Sequence, residues 1–184
     1  MNADIKEILE QHVAWLRDPK SGRQANLRYA NLHGANLRDA DLHKADLHRV
    51  DLRDANLRDA NLCDANLCDA NLYGANLCDA NLRDANLIGA DLRDANLCDA
   101  NLIDANLRDA NLIGANLRDA NLYGANLHGA NLRSANLLRA SLCRATIDGA
   151  KLAFEDIGGP GHILCALTDQ EWEQIKAQRE KETP

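Results

Sequence analysis

A chain of 184 residues with 46% apolar but only 3% aromatic side chains has to build its core from leucine and alanine, which argues against an ordinary globular interior. Its net charge of −7 is unevenly placed: six lysines and arginines meet six aspartates in residues 25–60, two meet eight in residues 61–104, and six meet three in residues 105–154. An acidic middle and a basic stretch whose aromatics are only Tyr123 and Phe154 do not point to direct nucleic-acid binding.

The N-terminus, MNADIKEILEQHVAWL, has neither a basic leader nor a long apolar run. No signal peptide, membrane span or membrane partner is therefore expected, and the expected location is cytoplasmic. Six cysteines, mostly in repeat positions, fit a reducing compartment better than a disulfide framework. Residues 4–17 predict an α-helix: Asp4 and Glu7 form a capping-box pattern, and Ile5, Ile8, Leu9, His12, Val13, Trp15 and Leu16 share one face. Pro19 and Gly22 end it. His12 lies within the apolar stripe and reads as a packing residue rather than a ligand or base. Residues 1–24 form a first unit, a capping helix and linker.

From Ala25 to Phe154 the chain divides into 26 consecutive pentapeptides, Ala-(Asn/Asp)-Leu-X-X, in which Val50 and Ile147 are the single departures at the first and third positions. A helix advances about 100° per residue, so a leucine every five residues spirals around it. A continuous strand has period two, so an odd period throws successive leucines onto opposite faces. The pattern works when Ala and Leu point to one side of a short extended segment and the step from Leu to the next Ala contains a turn. Such a chain coils around its own leucines and buries them by stacking coil on coil, about 4.8 Å apart.

These 26 in-frame copies resemble the pentapeptide-repeat family, whose motif is A-(D/N)-L-X-X. The resemblance implies an all-β solenoid, a right-handed quadrilateral parallel β-helix with 20 residues per coil. The array is then about 6.5 coils, or roughly 31 Å of stack. Every twentieth residue from Gly34 reads Gly34, Asp54, Gly74, Asp94, Gly114, Ser134, an alternation that suits this register. Another column carries Asp39, Asp59, Asp79, Asp99 and Asp119.

Residues 155–184 form the closing unit. GGPGHILCAL predicts a turn at 158–161 and an extended piece at 163–167, and lacks the Lys-Ser/Thr of a phosphate loop. Thr168 with Glu171 predicts a capping box, Leu167 with Trp172 a hydrophobic staple, and residues 169–181 a helix. Trp172 and Ile175 are candidate cap or dimer contacts. A homodimer through this end is implied by resemblance alone, from family members that inhibit gyrase.

The fourth and fifth residues of each repeat face outward. His43 and Cys63 share a column, as do His48 and Cys68. The two columns leave perpendicular walls, whereas tetrahedral zinc needs its ligands around one point, so no metal and no cofactor is expected. Cys78 and Cys98 are vertical neighbours whose parallel side chains suit two thiols better than a disulfide. Three serines, no assembled nucleophile-base pair and no activating cation for Cys68 leave catalysis without residues, so the chain reads as not an enzyme. Arg38, Arg58 and Arg118 compensate the aspartate column at its ends. At the centre Cys78 and Cys98 replace arginine, leaving Asp79 and Asp99, with Asp64, Asp69 and Asp104 nearby, without a local cation.

That band is the candidate protein-binding site. The expected function is a non-catalytic interaction scaffold that docks a basic protein surface. Two alternatives stand beside it: a DNA-mimicking inhibitor of a DNA-binding enzyme, such as gyrase, topoisomerase or a host defence system opposed by a phage, and a passive spacer.

Overall fold

The computed structural model describes residues 3–152. The expectations for residues 153–184, including the roles of Trp172 and Ile175, lie outside the described residues.

Each pentapeptide makes one side of a coil. Backbone bridges join the second residue of a repeat to the second residue of the repeat twenty positions on, from Asn26 with Asp46 to Asn131 with Lys151, all in parallel. Twenty residues per coil and four turns per coil follow. The walls are single-residue bridges rather than extended strands, because a turn interrupts the chain before a second bridge can form.

The amide donors show why five residues suffice. In the repeat at residues 80–84, the Ala80 N–H closes a turn on the Leu77 carbonyl at 3.1 Å. The Asn81 N–H reaches the coil before, at Ala60 (2.9 Å), and the Leu82 N–H the coil after, at Asn101 (2.7 Å). The Asp84 N–H also reaches the coil after, at Ile103 (2.9 Å). The remaining donor, the Arg83 N–H, is taken by Asn81 Oδ1 at 3.3 Å. All five donors are thus paired, and the second-position side chain acts as backbone hardware, the Asx-turn acceptor that the fourth residue needs.

The turn fixes the fifth residue as well. From Tyr29 to Gly149 every fifth position has φ between 54° and 70°. A turn with positive φ only at its third residue is type II, which favours glycine and otherwise short polar residues. From residue 54 to residue 129 that position is occupied only by Asp or Gly. The first and third positions face inward: Leu42 through Leu127 are wholly buried, and Val50 and Ile147 stay inside at 1% and 6% exposure.

Helix α1 spans Ala3–Arg17 and covers the open end of the first coil, with Ile5, Ile8 and Leu9 packed on the core. It begins one residue before the capping-box reading, which places Asp4 inside the first turn rather than at the cap. Asp18 ends it, accepting from the Lys20 N–H at 3.1 Å and the Ser21 hydroxyl at 3.0 Å. Gly22 passes so close to the α1 backbone that a Cβ would strike Gln11 and Trp15.

His12 does more than pack. It is fully buried, stacks on Trp15 at 5.6 Å, and its Nδ1 accepts the Ala25 N–H at 2.9 Å. An edge donor of the first coil is thereby satisfied. Burial holds the imidazole below its ordinary value of 6.5, against Asp41, which raises it, while His43 has effects in both directions. The folded ring therefore resists a proton that the unfolded chain accepts. The contribution is full above about pH 6.5 and is lost as pH falls below it. His12→Ala is expected to cost about 1–3 kcal/mol by orphaning the Ala25 amide and to remove part of the acid sensitivity. Faster amide exchange confined to the first two coils reports it; uniform acceleration along the rod contradicts it.

Candidate acidic face and thiol cluster

The 20-residue register places Asp79 and Asp99 at one corner of the rod and Asp64, Asp84 and Asp104 at the next. Five carboxylates thus flank the wall made by residues 80–82 and 100–102. Asp69 stands one corner further on, so the band wraps an edge rather than filling one face.

The electrostatics correct the expectation that the band lacks cations. Asp79 Oδ2 is 3.1 Å from Nη2 of Arg58, one coil earlier. Asp69 is 3.3 Å from Arg49 Nε, and Asp84 is 3.1 Å from Arg83 Nε. Among the described residues, Asp64 has His43 at 3.9 Å and the Cys63 thiol at 3.8 Å, but no arginine or lysine ion pair. The arginines act across coils as well as within a repeat: Arg38 reaches both Asp39 (3.4 Å) and Asp59 (3.2 Å). Asp119 is held by Arg118 at 2.9 Å and Arg139 at 3.0 Å. Among the described residues, Asp99 and Asp104 alone of the five candidate residues form no ion pair. They occupy adjacent corners of one coil, and both are exposed.

Asp104 has a second constraint: its Oδ1 occupies the space that a Cβ on Gly124 would need, as Asp54 does beneath Gly74 and Asp94 beneath Gly114. The carboxylate fills the space that glycine leaves, but does not require glycine there, since Asp64, Asp84 and Asp104 stack one above another at the same corner.

Asp99 is paired with a thiol instead of a cation. Cys98 Sγ donates to Asp99 Oδ2 at 2.9 Å, and Cys78 Sγ donates to Asp79 Oδ2 at 3.3 Å. The hydrogen bond to Asp99, with burial and the carboxylate's charge, pushes the Cys98 thiol up to about 12. Burial raises Cys63, Cys68 and Cys78 too. All four are free thiols and poor nucleophiles at neutral pH.

His43, Cys63, His48 and Cys68 do not gather around one point. They form two separate groups, His43 with Cys63 and Asp64, and His48 with Cys68 and Asp69. A third group is Cys78 with Cys98 and Asp99, which the sequence alone shows only as a pair of thiols beside a charged column. Its signal is the coincidence, in register, of Cys-Asp dipeptides one coil apart. Among the described residues, no helix is long and apolar enough to cross a membrane.

Comparisons with known proteins give a family model and several similar structures. The family model for pentapeptide repeats matches in eight copies over residues 23–54, 45–84, 80–119 and 120–153. The crystal structure of HetL, a pentapeptide repeat protein involved in heterocyst differentiation regulation in the cyanobacterium Nostoc sp. strain PCC 7120, is 35% identical. The match covers 71% of each chain, with a TM-score of 0.48. A trypsin-treated form of QnrB1, a plasmid-mediated fluoroquinolone resistance protein, is 18% identical over 82% of this chain and 83% of its own, with a TM-score of 0.40. A pentapeptide repeat protein of the Arabidopsis thaliana thylakoid lumen is 31% identical over 60% of this chain and 66% of its own, with a TM-score of 0.29. The chain matches no curated protein. Eight model copies spanning most of the sequence, on a backbone that repeats every five residues and stacks every twenty, make this chain a member of the pentapeptide repeat family.

Proposed function

We propose that the chain is a non-catalytic scaffold, a right-handed four-sided rod as the family resemblance implies, whose acidic edge docks a basic surface on another protein. The observation that carries this reading is the pair Asp99 and Asp104, exposed on adjacent corners of one coil and without ion pairs among the described residues. The turn explains why short residues stand there but not why neither is ion-paired, when Arg58 and Arg83 serve Asp79 and Asp84 nearby and Arg118 acts on Asp99 only at longer range. Asp99 stands over Asp79 and Asp104 over Asp84, and stacked carboxylates repel, so the pair without ion pairs lowers stability unless a partner supplies further cations. Asp64, Asp69 and Asp79 form the periphery of the patch, where a basic partner competes with His43, Arg49 and Arg58.

Asp99→Asn with Asp104→Asn keeps a side chain that accepts positive φ while removing both charges. In a salt-graded pull-down from the native host, a protein retained by the wild type and lost by this variant is the expected result, with unchanged far-UV circular dichroism. Identical captured sets sink the reading. A gyrase supercoiling assay distinguishes the sharper DNA-mimicking version: absence of inhibition at large molar excess removes gyrase as the target and leaves the scaffold reading in place.

A further inference from the structure

The geometry points to a zinc site formed by Cys78, Cys98 and Asp99, at the corner where the aspartate column loses its arginines. The three ligand atoms lie within 4.8 Å of one another. Around a tetrahedral zinc with bonds of about 2.0 to 2.3 Å, neighbouring ligand atoms stand roughly 3.5 to 3.8 Å apart. Closing the difference takes about 1 Å at the tips of side chains that project from the wall in parallel. The parallel projection that disfavours a disulfide between Cys78 and Cys98 suits a shared metal, because the metal sits between the sulfurs rather than requiring them to bond.

Two further features set this corner apart. Asp99 is the one carboxylate of its column with no ion pair among the described residues, since Asp39, Asp59, Asp79 and Asp119 each have an arginine. Each cysteine thiol donates to the carboxylate beside it, Cys98 to Asp99 at 2.9 Å and Cys78 to Asp79 at 3.3 Å, the latter sharing Asp79 with Arg58. A divalent cation replaces both thiol hydrogens: two S–H bonds break, two protons leave to solvent, and two sulfur-metal bonds form with no change of oxidation state. Asp99 supplies the third ligand, and the fourth position is taken by water, since Asp79 is held by Arg58 at 3.1 Å. Two thiolates select a borderline-soft ion such as zinc over calcium or magnesium.

The other two groups are weaker candidates. His43 Nδ1 is engaged with the Cys63 carbonyl at 2.9 Å, and Asp69 is already neutralised by Arg49 at 3.3 Å. Each also offers a single sulfur.

The test uses the full chain, kept reduced with a phosphine that does not bind metal, and zinc ions alone as the probe. Equilibrium dialysis followed by elemental assay is expected to show one more equivalent of zinc on the wild type than on the Cys78→Ser/Cys98→Ser variant. Titration in buffers of different ionisation enthalpy is expected to show proton release that tightens binding as pH rises. With cobalt as a spectroscopic stand-in, a sulfur-to-metal charge-transfer band is expected in the wild type and in a Cys63→Ser/Cys68→Ser control, and absent from the first variant. Asp99→Asn, which keeps the turn, is expected to weaken zinc binding while circular dichroism is unchanged. Equal zinc on the wild type and the Cys78→Ser/Cys98→Ser variant overturns the site. So does a band that survives in that variant and vanishes in the control.

Discussion

Leu87→Ala is expected to lower the unfolding free energy by about 3 kcal/mol, in the middle of the range for a buried leucine truncated to alanine. Two features of the rod keep the loss from being small. Leu87 is wholly buried in a core that contains little but leucine and alanine, so no flexible aromatic or methionine neighbour is available to fill the space. The walls are also held: the Leu87 N–H bonds to Asn106 in the coil after (2.7 Å), and the Asn86 N–H to Ala65 in the coil before (2.9 Å). Moving inward would break both. Because each coil touches only its neighbours, the defect weakens the coupling between the two halves, and unfolding is expected to lose cooperativity as well as midpoint. Urea denaturation followed by far-UV circular dichroism measures both. The tryptophans are Trp15 and Trp172, outside the repeats, so their fluorescence reports the ends. A loss under about 1 kcal/mol would show that the coil collapses onto the cavity.

The second large effect concerns a surface residue. Asn81→Ala is expected to cost about 1–3 kcal/mol, more than the usual surface substitution, because it removes three hydrogen bonds at once. Asn81 Oδ1 accepts the Arg83 N–H at 3.3 Å and the Asn101 amide at 3.2 Å, while its Nδ2 donates to Asn61 Oδ1, also at 3.2 Å. Asn81→Asp separates these roles. The carboxylate still accepts twice, but it turns an oxygen toward the Asn61 oxygen, where a donor stood. The expected loss is partly recovered as pH falls and the new carboxyl gains a proton to donate. Asp41→Asn, at the base of the same column, is expected to be nearly neutral: Asp41 only has to accept, from Asn61 at 3.0 Å and the His43 N–H at 3.2 Å. Comparison of the three urea midpoints checks the assignment, and equal costs for Asn81→Asp and Asp41→Asn would contradict a directional ladder.

The contrast between Leu87 and Asn81 marks what is legible in the sequence. The inward half is legible because alanine and leucine at a fixed odd period admit few geometries, and the alternation from Gly34 to Gly114 carries the coil length. The polar half is not. Asn81 looks like a solvated residue of variable type until the unpaired Arg83 amide is located, and that requires knowing where the turn lies. Asp79 looks free because its own repeat offers Cys78, whereas its cation is Arg58, twenty-one residues earlier. Asp104 looks like a chosen charge, although the position is one where the chain between residues 54 and 129 uses only Asp or Gly, each with positive φ. Part of the rod's acidity is therefore a by-product of its turns, and only the surplus at Asp99 and Asp104 supports a docking role. The helix over the first coil is legible from its apolar face, but the bond from Ala25 to His12 is not, since it needs the end of the coil and the helix in one frame.

The twenty-residue register has a consequence for how such a chain changes length. Insertion of one whole coil would lengthen the rod while leaving every side chain above the same neighbours, so salt pairs such as Arg58 with Asp79 would survive away from the junction. Insertion of a single pentapeptide would preserve the core equally well, because every repeat offers the same alanine and leucine, yet it would rotate everything beyond it by a quarter turn. Asp99 would then no longer stand over Asp79, nor Cys98 over Cys78. Duplication and deletion in fives would thus be nearly silent for folding and drastic for the surface, which gives this architecture a way to reshuffle its outer face without a single substitution.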